Sequence, residues 1–142
     1  MVKVNVLECS SKGDKRFSAF YAKVVAFNTL DSIENHYQCS KRSYDGGHVR
    51  KGSPVDHMML NGIKLDVRFL TQWYNLLWIK YLDNNPKLVD VLGQYEDYTD
   101  KFKGKAINCQ ADVIRAYMQN RIALLKSCKE LLDILKADCR RD

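Results

Sequence analysis

Residues 69–83 read Phe-Leu-Thr-Gln-Trp-Tyr-Asn-Leu-Leu-Trp-Ile-Lys-Tyr-Leu-Asp. Apolar and aromatic side chains recur in this segment at intervals of three and four residues, which is the period of one face of an α-helix. These side chains are Leu70, Trp73, Tyr74, Leu77, Trp78, Tyr81 and Leu82. The pattern predicts a helix over residues 69–83 with a broad buried face, and this helix is expected to be the centre of the core.

The composition is that of an ordinary globular domain. The chain has 142 residues, of which 46% are hydrophobic and 28% are charged, and it contains seven glycines and two prolines. These values support one hydrophobic core and exclude collagen-like and low-complexity proteins. No apolar run approaches the length of about 18 residues that a membrane span needs. Because neither a repeat nor a linker is visible, residues 1–142 are predicted to form a single domain.

The chain carries a basic surplus. Its 23 lysines and arginines exceed its 17 aspartates and glutamates, which gives a net charge of +6. Such a surplus favours anionic ligands, and nucleic acid is one possible partner because the basic residues alternate with tyrosine and phenylalanine. The residues concerned are Lys12, Lys15, Arg16, Arg42, Arg50, Lys51, Lys101, Lys103 and Lys105. No sequence signature of a nucleic-acid-binding fold accompanies them.

Cysteine and histidine usage does not indicate a metal centre. The five cysteines form no Cys-x-x-Cys pair, and the three histidines have neither a histidine nor a cysteine four residues away. Neither a metal nor another cofactor is therefore expected. The odd number of cysteines, in a sequence without a signal-peptide pattern, predicts reduced thiols and a cytoplasmic location.

Two strands and a β-hairpin are expected in the first half of the chain. Residues 1–7 alternate apolar and polar side chains, with Val2, Val4 and Val6 on one face, and predict a first strand. Residues 20–27 are rich in aromatic and β-branched side chains and predict a second strand paired with the first, although the alanines in this segment also suit a helix. Asn-Gly at 61–62, between two apolar runs, predicts a β-hairpin with a two-residue turn.

A polar stripe follows the second predicted strand. Asp31 and Glu34 have the spacing of a capping box, which predicts a helix over residues 32–44. Glu34, Gln38 and Lys41 would share one side of that helix. A carboxylate there could activate water, an amide could bind a base or sugar edge, and an ammonium could neutralise a phosphate. The alternative is that Glu34 only caps the helix and that Lys41 is only a solvent-exposed residue at the helix end.

Helices are also expected in the second half of the chain. Asn85 and Pro86 have the types typical of a helix start, and the apolar period continues to Tyr95. Residues 96–100 are expected to be an acidic loop. Asn108 is expected to cap a long helix that breaks near Asn120 and whose apolar stripe is long enough to favour a homo-oligomer. The glycine-rich loop 45–54 could close over a ligand.

Two sequence blocks resemble the NADAR superfamily. The segment Phe-Ser-Ala-Phe-Tyr at 17–21 is similar to the family's S-N-F-Y segment, and residues 32–41 follow its S-x-E-x-x-Y-Q-x-x-K helix pattern. The resemblance implies a helix-rich α+β domain with a small antiparallel sheet or hairpin. It also implies cleavage of an N-glycosidic bond in a nucleotide or an ADP-ribose derivative.

The resemblance implies that Glu34, Gln38 and Lys41 wall the pocket and that Glu34 handles the attacking water. Asp100 or Asp112 would be a second carboxylate, which no NADAR motif places, and we select Asp100. The expected substrate-binding residues are Tyr37, Gln38, Lys41, Trp78, Asn108 and Gln110. The partner is then a nucleotide-like small molecule.

A second resemblance bears on origin. The Asn-Pro-x-Leu helix start at 85–88 and the Asn-Cys-Gln-Ala-Asp-x-Ile segment at 108–114 look like those of a small group of phage-encoded proteins. The resemblance implies a protein of the host cytoplasm. The glycine-rich Asn-x-Leu-Gly run of NADAR proteins is replaced by Asn-Cys-Gln-Ala at 108–111, so a non-catalytic phage protein that binds a nucleotide or a host protein is the alternative.

Overall fold

The structure, a computed structural model, describes residues 4–50, 52–101 and 108–139. Within these ranges the strands are Val4–Glu8 (β1), Lys23–Ala26 (β2), Thr29–Ser32 (β3), Lys41–Arg42 (β4), His57–Leu60 (β5), Ile63–Leu65 (β6) and Tyr95–Thr99 (β7). The helices are Ile33–Cys39 (α1), Leu70–Asp83 (α2), Pro86–Leu92 (α3), Gln110–Lys126 (α4) and Lys129–Cys139 (α5). The predicted helix-rich α+β class, with small antiparallel sheets, is confirmed.

Helix α2 is the centre of the core, as residues 69–83 predict. Its buried side chains are Trp73, Tyr74, Leu77, Trp78, Ile79, Tyr81 and Leu82. The helix contacts α1, α4 and β2, which cover it from several sides. This explains why its apolar face is broader than the single stripe of a surface helix.

Two tight hairpins supply the antiparallel pairs. The β5–β6 hairpin turns at Asn61 and Gly62, with φ angles of 49° and 83°, so the Asn-Gly prediction is confirmed. The β2–β3 hairpin turns at Phe27 and Asn28, with φ angles of 50° and 65°. The predicted pairing of this region with the first strand is therefore wrong. Phe27 holds the left-handed conformation while its ring stacks on Trp73, with 5.7 Å between ring centroids.

Strand β1 pairs in parallel with β7, so the predicted acidic loop at 96–100 is a strand through Thr99. Its acidic side chains are exposed while Tyr98 is 5% exposed and packs into the core. The face of β1 that carries Val6 is the outer one, because Val6 is 48% exposed and Leu7 is buried. Tyr95 lies in β7 and not in the helix that begins at Pro86, and that helix ends at Leu92.

Helix α1 differs from its prediction at both ends. Its N-cap is Ser32, whose Oγ accepts the Asn35 N–H at 3.0 Å, and not Asp31. Asp31 instead accepts the Ser32 N–H and the Asn35 amide. The helix ends at Cys39, and Lys41 belongs to β4. The capping box and the extension to residue 44 are therefore wrong, and the Glu34 carboxylate has no capping role.

The C-terminal helices contain the predicted break. Asn120 has φ −164° and ψ 89°, and its Oδ1 accepts the Ala123 N–H at 3.1 Å. The N-cap of α4 is Cys109. The prediction that Asn108 caps this helix is therefore wrong. Among the described residues, no helix combines the length and hydropathy that crossing a membrane requires.

The described cysteines differ in exposure. Cys9, Cys109 and Cys128 are buried and Cys39 is exposed, and none of these four is in a disulfide. Burial, assisted by the negative charge of Asp100, raises the pKa of Cys9 to about 12. Because the thiolate is the reactive form, Cys9 is protected by both inaccessibility and protonation.

This difference predicts the order of thiol labelling. In a Cys139→Ser variant, iodoacetamide at pH 8 is expected to modify Cys39 first and to modify Cys9, Cys109 and Cys128 only after unfolding. Peptide mapping by mass spectrometry over a time course measures the order. Early labelling of Cys9 in the native protein would contradict the described core.

Candidate functional site

Polar side chains from four separated segments converge beside the N-terminal turn of α1. We call them the polar cluster: Glu34, Tyr37, Gln38, Lys41, Asp100, Asn108 and Gln110. The Glu34 N–H donates to the Ala19 carbonyl at 2.9 Å, and the Ala19 N–H donates to Gln110 Oε1 at 3.1 Å. Gln110 Nε2 in turn donates to Asp100 Oδ2. This chain of contacts links the backbone of Glu34 to the carboxylate of Asp100, 66 positions away in the sequence numbering.

Glu34 is partly buried and held by its own helix. Its Oε1 accepts a hydrogen bond from Gln38 Nε2 at 2.9 Å, which is the spacing of one helical turn. The bond uses only Oε1, so Oε2 is the oxygen through which Glu34 can bind a water molecule. Glu34 and Gln38, two predicted neighbours on the polar stripe, are thus in contact.

Lys41 remains near Glu34 although it lies on β4. Its ammonium nitrogen lies 4.5 Å from the centroid of the Tyr37 ring. Burial lowers the pKa of Lys41, and the negative charge of Glu34 acts in the opposite direction. A cation is therefore held beside the carboxylate by packing on an aromatic face rather than by helix periodicity.

Asn108 contacts two helices through its side chain. Its Nδ2 donates to the Tyr37 hydroxyl at 2.8 Å, and its Oδ1 accepts a hydrogen bond from Thr71 Oγ1 at 3.1 Å. Both ends of the amide are therefore engaged, one with α1 and one with α2. The predicted ligand-binding residue is in this structure a positioning residue for Tyr37.

A double-mutant cycle tests this role. Tyr37→Phe and Asn108→Ala each remove one partner of the same hydrogen bond. The two changes are expected to show a coupling of about 0.5–1.5 kcal/mol in the free energy of unfolding. Urea denaturation of both single variants, the double variant and the wild type measures it. Additive effects would mean that the contact does not stabilise the fold.

Gln110 and Asp100 form the inner side of the polar cluster. Gln110 is 7% exposed, and both ends of its amide are bonded, to Ala19 and to Asp100. Burial raises the pKa of the Tyr74 hydroxyl, and the negative charges of Glu34 and Asp100 raise it further.

Two other predicted residues lie elsewhere. Trp78 is 0% exposed and packs edge-on against Tyr81, so it is a core residue in this structure. Asp112 is exposed and accepts a hydrogen bond from Arg115 at 3.0 Å, as part of an ion-pair group that includes Asp97. Of the two alternatives for a second carboxylate, Asp100 is the one in the polar cluster.

Sequence reasoning missed Ala19. It acts through its backbone, which no side-chain pattern reveals, although the block at 17–21 carries the NADAR resemblance. Tyr74 lies on the buried face of α2, as the apolar period predicts. Lys51, Lys103 and Lys105, predicted as basic contacts for nucleic acid, lie outside the described residues.

Two cavities lie away from the polar cluster. An apolar groove of about 520 Å³ is bounded by Phe27 and Trp73 on one side and by Leu125, Leu132 and Leu135 on the other. A more polar pocket of about 250 Å³ lies beside the exposed Cys39. No residue of the polar cluster lines either cavity.

Comparison of the chain with models of known protein families finds no match, and comparison with curated proteins finds none.

Proposed function

We propose that the protein is an N-glycosidase-like hydrolase that acts on a nucleotide or an ADP-ribose derivative. The observation that carries the proposal is the chain of contacts from Glu34 through Ala19 and Gln110 to Asp100. It unites the residues that the NADAR resemblance selects with residues from the C-terminal half, and it leaves a Glu34 oxygen available to water.

The proposed reaction uses one water molecule. Its oxygen bonds to the anomeric carbon, the carbon–nitrogen bond breaks, and the electron pair departs with the base. Glu34 accepts the proton of the water and stabilises the positive charge that develops on the sugar. Asp100 is the candidate donor of the proton that the departing base takes up. Carboxylates in these two roles are the general solution for glycosidic bonds.

The remaining residues fit binding roles. Lys41 supplies a positive charge for a phosphate, and its packing on Tyr37 fixes the position of that charge. Gln38 is exposed and can offer its amide to a base or sugar edge while it holds Glu34. A protein with this arrangement favours an anionic nucleotide over a neutral sugar.

A non-catalytic role is the second candidate. The apolar groove of about 520 Å³ lies outside the polar cluster, and the β2–β3 hairpin beside it exposes Phe27 and Leu30, the latter at 65%. Exposed apolar surface of this kind is typical of interaction sites. A phage protein that binds a host protein or sequesters a nucleotide would use such a surface without turnover.

Product analysis separates the two candidates. The purified protein is incubated with NAD, ADP-ribose, ADP-ribosylated guanine and common nucleotides, and the products are identified by mass spectrometry. The hydrolase is expected to release a free base from at least one compound. An unchanged panel together with a nucleotide that copurifies with the protein would favour the binder.

A further inference from the structure

Two consecutive aromatic side chains beside the polar cluster are not used by the proposed reaction. Phe20 is 58% exposed and Tyr21 is 49% exposed. Both directly follow Ala19, the residue that contacts Glu34 through its carbonyl and Gln110 through its N–H. The rings therefore begin within one or two residues of the contact that joins the cluster.

The backbone beneath these rings is fixed. The N–H groups of Tyr21 and Ala22 both donate to the Ser18 carbonyl, at 3.1 and 2.8 Å, and the Phe20 N–H donates to Ser18 Oγ at 3.4 Å. Ser18 itself is 0% exposed. The turn is thus anchored in the core, and the rings are presented to solvent on a rigid base.

Basic residues flank the two aromatic residues in the sequence, and one of them contacts a ring. The Lys15 ammonium lies 4.8 Å from the centroid of the Tyr21 ring, and Arg16 and Lys23 are exposed on the same segment. The carboxylate of Asp14 is engaged by Arg16 at 2.7 Å. Aromatic faces for stacking, combined with cations for phosphates, are the elements that bind single-stranded nucleic acid without sequence readout.

We propose that Phe20 and Tyr21 form a stacking platform for single-stranded nucleic acid, whose phosphates contact Lys15 and Lys23. Two consecutive exposed aromatic residues offer ring surface for two bases, which is more than a mononucleotide carries. The inference rests on the proposed function in one respect, since it makes the substrate of the Glu34 site a base within a strand. Binding to the platform itself needs no turnover.

Fluorescence anisotropy tests the platform. Fluorescein-labelled 12-nucleotide single strands of mixed sequence, one of DNA and one of RNA, are titrated with the protein at 50 and 200 mM salt. The double variant Phe20→Ala/Tyr21→Ala is expected to bind at least about tenfold more weakly, since stacking on an aromatic side chain contributes strongly for each base. Lys15→Ala is expected to reduce the salt dependence of the strand-binding constant by the amount that corresponds to the loss of about one phosphate contact.

Tyr44→Ala is the matched control, because Tyr44 is 90% exposed on the loop after β4. It is expected to bind the strands as the wild type does, and thermal melting checks that each variant folds. Three results would overturn the proposal: unchanged binding by the double variant, equal affinity for a duplex of the same sequence, or competition by AMP as effective as that by an unlabelled strand.

The outcomes separate this proposal from the proposed function. Strand binding that depends on Phe20 and Tyr21, without release of a base from any compound or strand, would support the platform and contradict the hydrolase. Base release from free nucleotides by a protein that binds no strand would support the hydrolase and contradict the platform.

Discussion

Replacing Glu34 with glutamine is expected to lower kcat at least about 100-fold while the Kd of the substrate changes less than about threefold. Glutamine keeps the size of the side chain and retains a carbonyl oxygen that can accept the Gln38 hydrogen bond. It loses the negative charge that accepts a proton from water and stabilises the developing positive charge on the sugar. The change therefore removes chemistry and leaves binding almost intact. Initial rates of base release and calorimetric titration measure the two quantities.

Glu96→Gln is the matched control for this prediction. Glu96 is exposed on β7, so the same chemical change there should leave both rate and affinity as in the wild type. Retention of more than a tenth of the wild-type rate by Glu34→Gln would contradict the assignment. Glu34 would then be a helix residue that is merely paired with Gln38.

The largest effect on stability is expected from Trp78→Ala, which should lower the free energy of unfolding by about 3–5 kcal/mol. Trp78 is fully buried, and its ring meets Tyr81 edge-on with 5.6 Å between centroids. Truncation removes a large apolar surface and leaves a cavity in the core beside the middle of α2, which the neighbouring helices cannot close. Urea denaturation followed by circular dichroism measures the change.

Two further variants keep this test interpretable. Trp78→Phe retains an aromatic ring and is expected to give a smaller loss, so it remains measurable if Trp78→Ala does not fold. Tyr44→Ala removes an exposed ring and is expected to leave stability almost unchanged. A loss below about 1 kcal/mol for Trp78→Ala would show that the core is not organised around this residue.

The parts of the fold that could be predicted are those that local sequence determines. Helix α2 follows from its apolar period, and the β5–β6 turn follows from Asn-Gly, which adopts positive φ angles easily. The β2–β3 turn at Phe27–Asn28 lacks a glycine and gives no comparable signal. The β1–β7 pair joins segments about 90 residues apart, and no local pattern specifies which strands meet.

In the candidate site too, some contacts follow from local sequence and others depend on the fold. Glu34 and Gln38 are one turn apart, so periodicity alone predicts their contact. Asp31 and Ser32 are both good N-cap residues, and choosing the wrong one started the predicted helix one residue too early and predicted a capping box that does not form. The link from Glu34 to Gln110 runs through the backbone of Ala19, and Gln110 then bonds Asp100 directly. Both contacts depend on packing that only the folded chain reveals.

The most direct test of the central claim is a map of where a nucleotide ligand binds. ADP-ribose is titrated into ¹⁵N-labelled Glu34→Gln protein, and amide shifts are recorded by two-dimensional NMR. If the ligand binds at the polar cluster, we expect the largest changes at the backbone amide of Ala19 and at the side-chain amides of Gln38, Asn108 and Gln110. Changes confined to the apolar groove, at Leu125 and Leu132, or no changes at millimolar ligand, would contradict it.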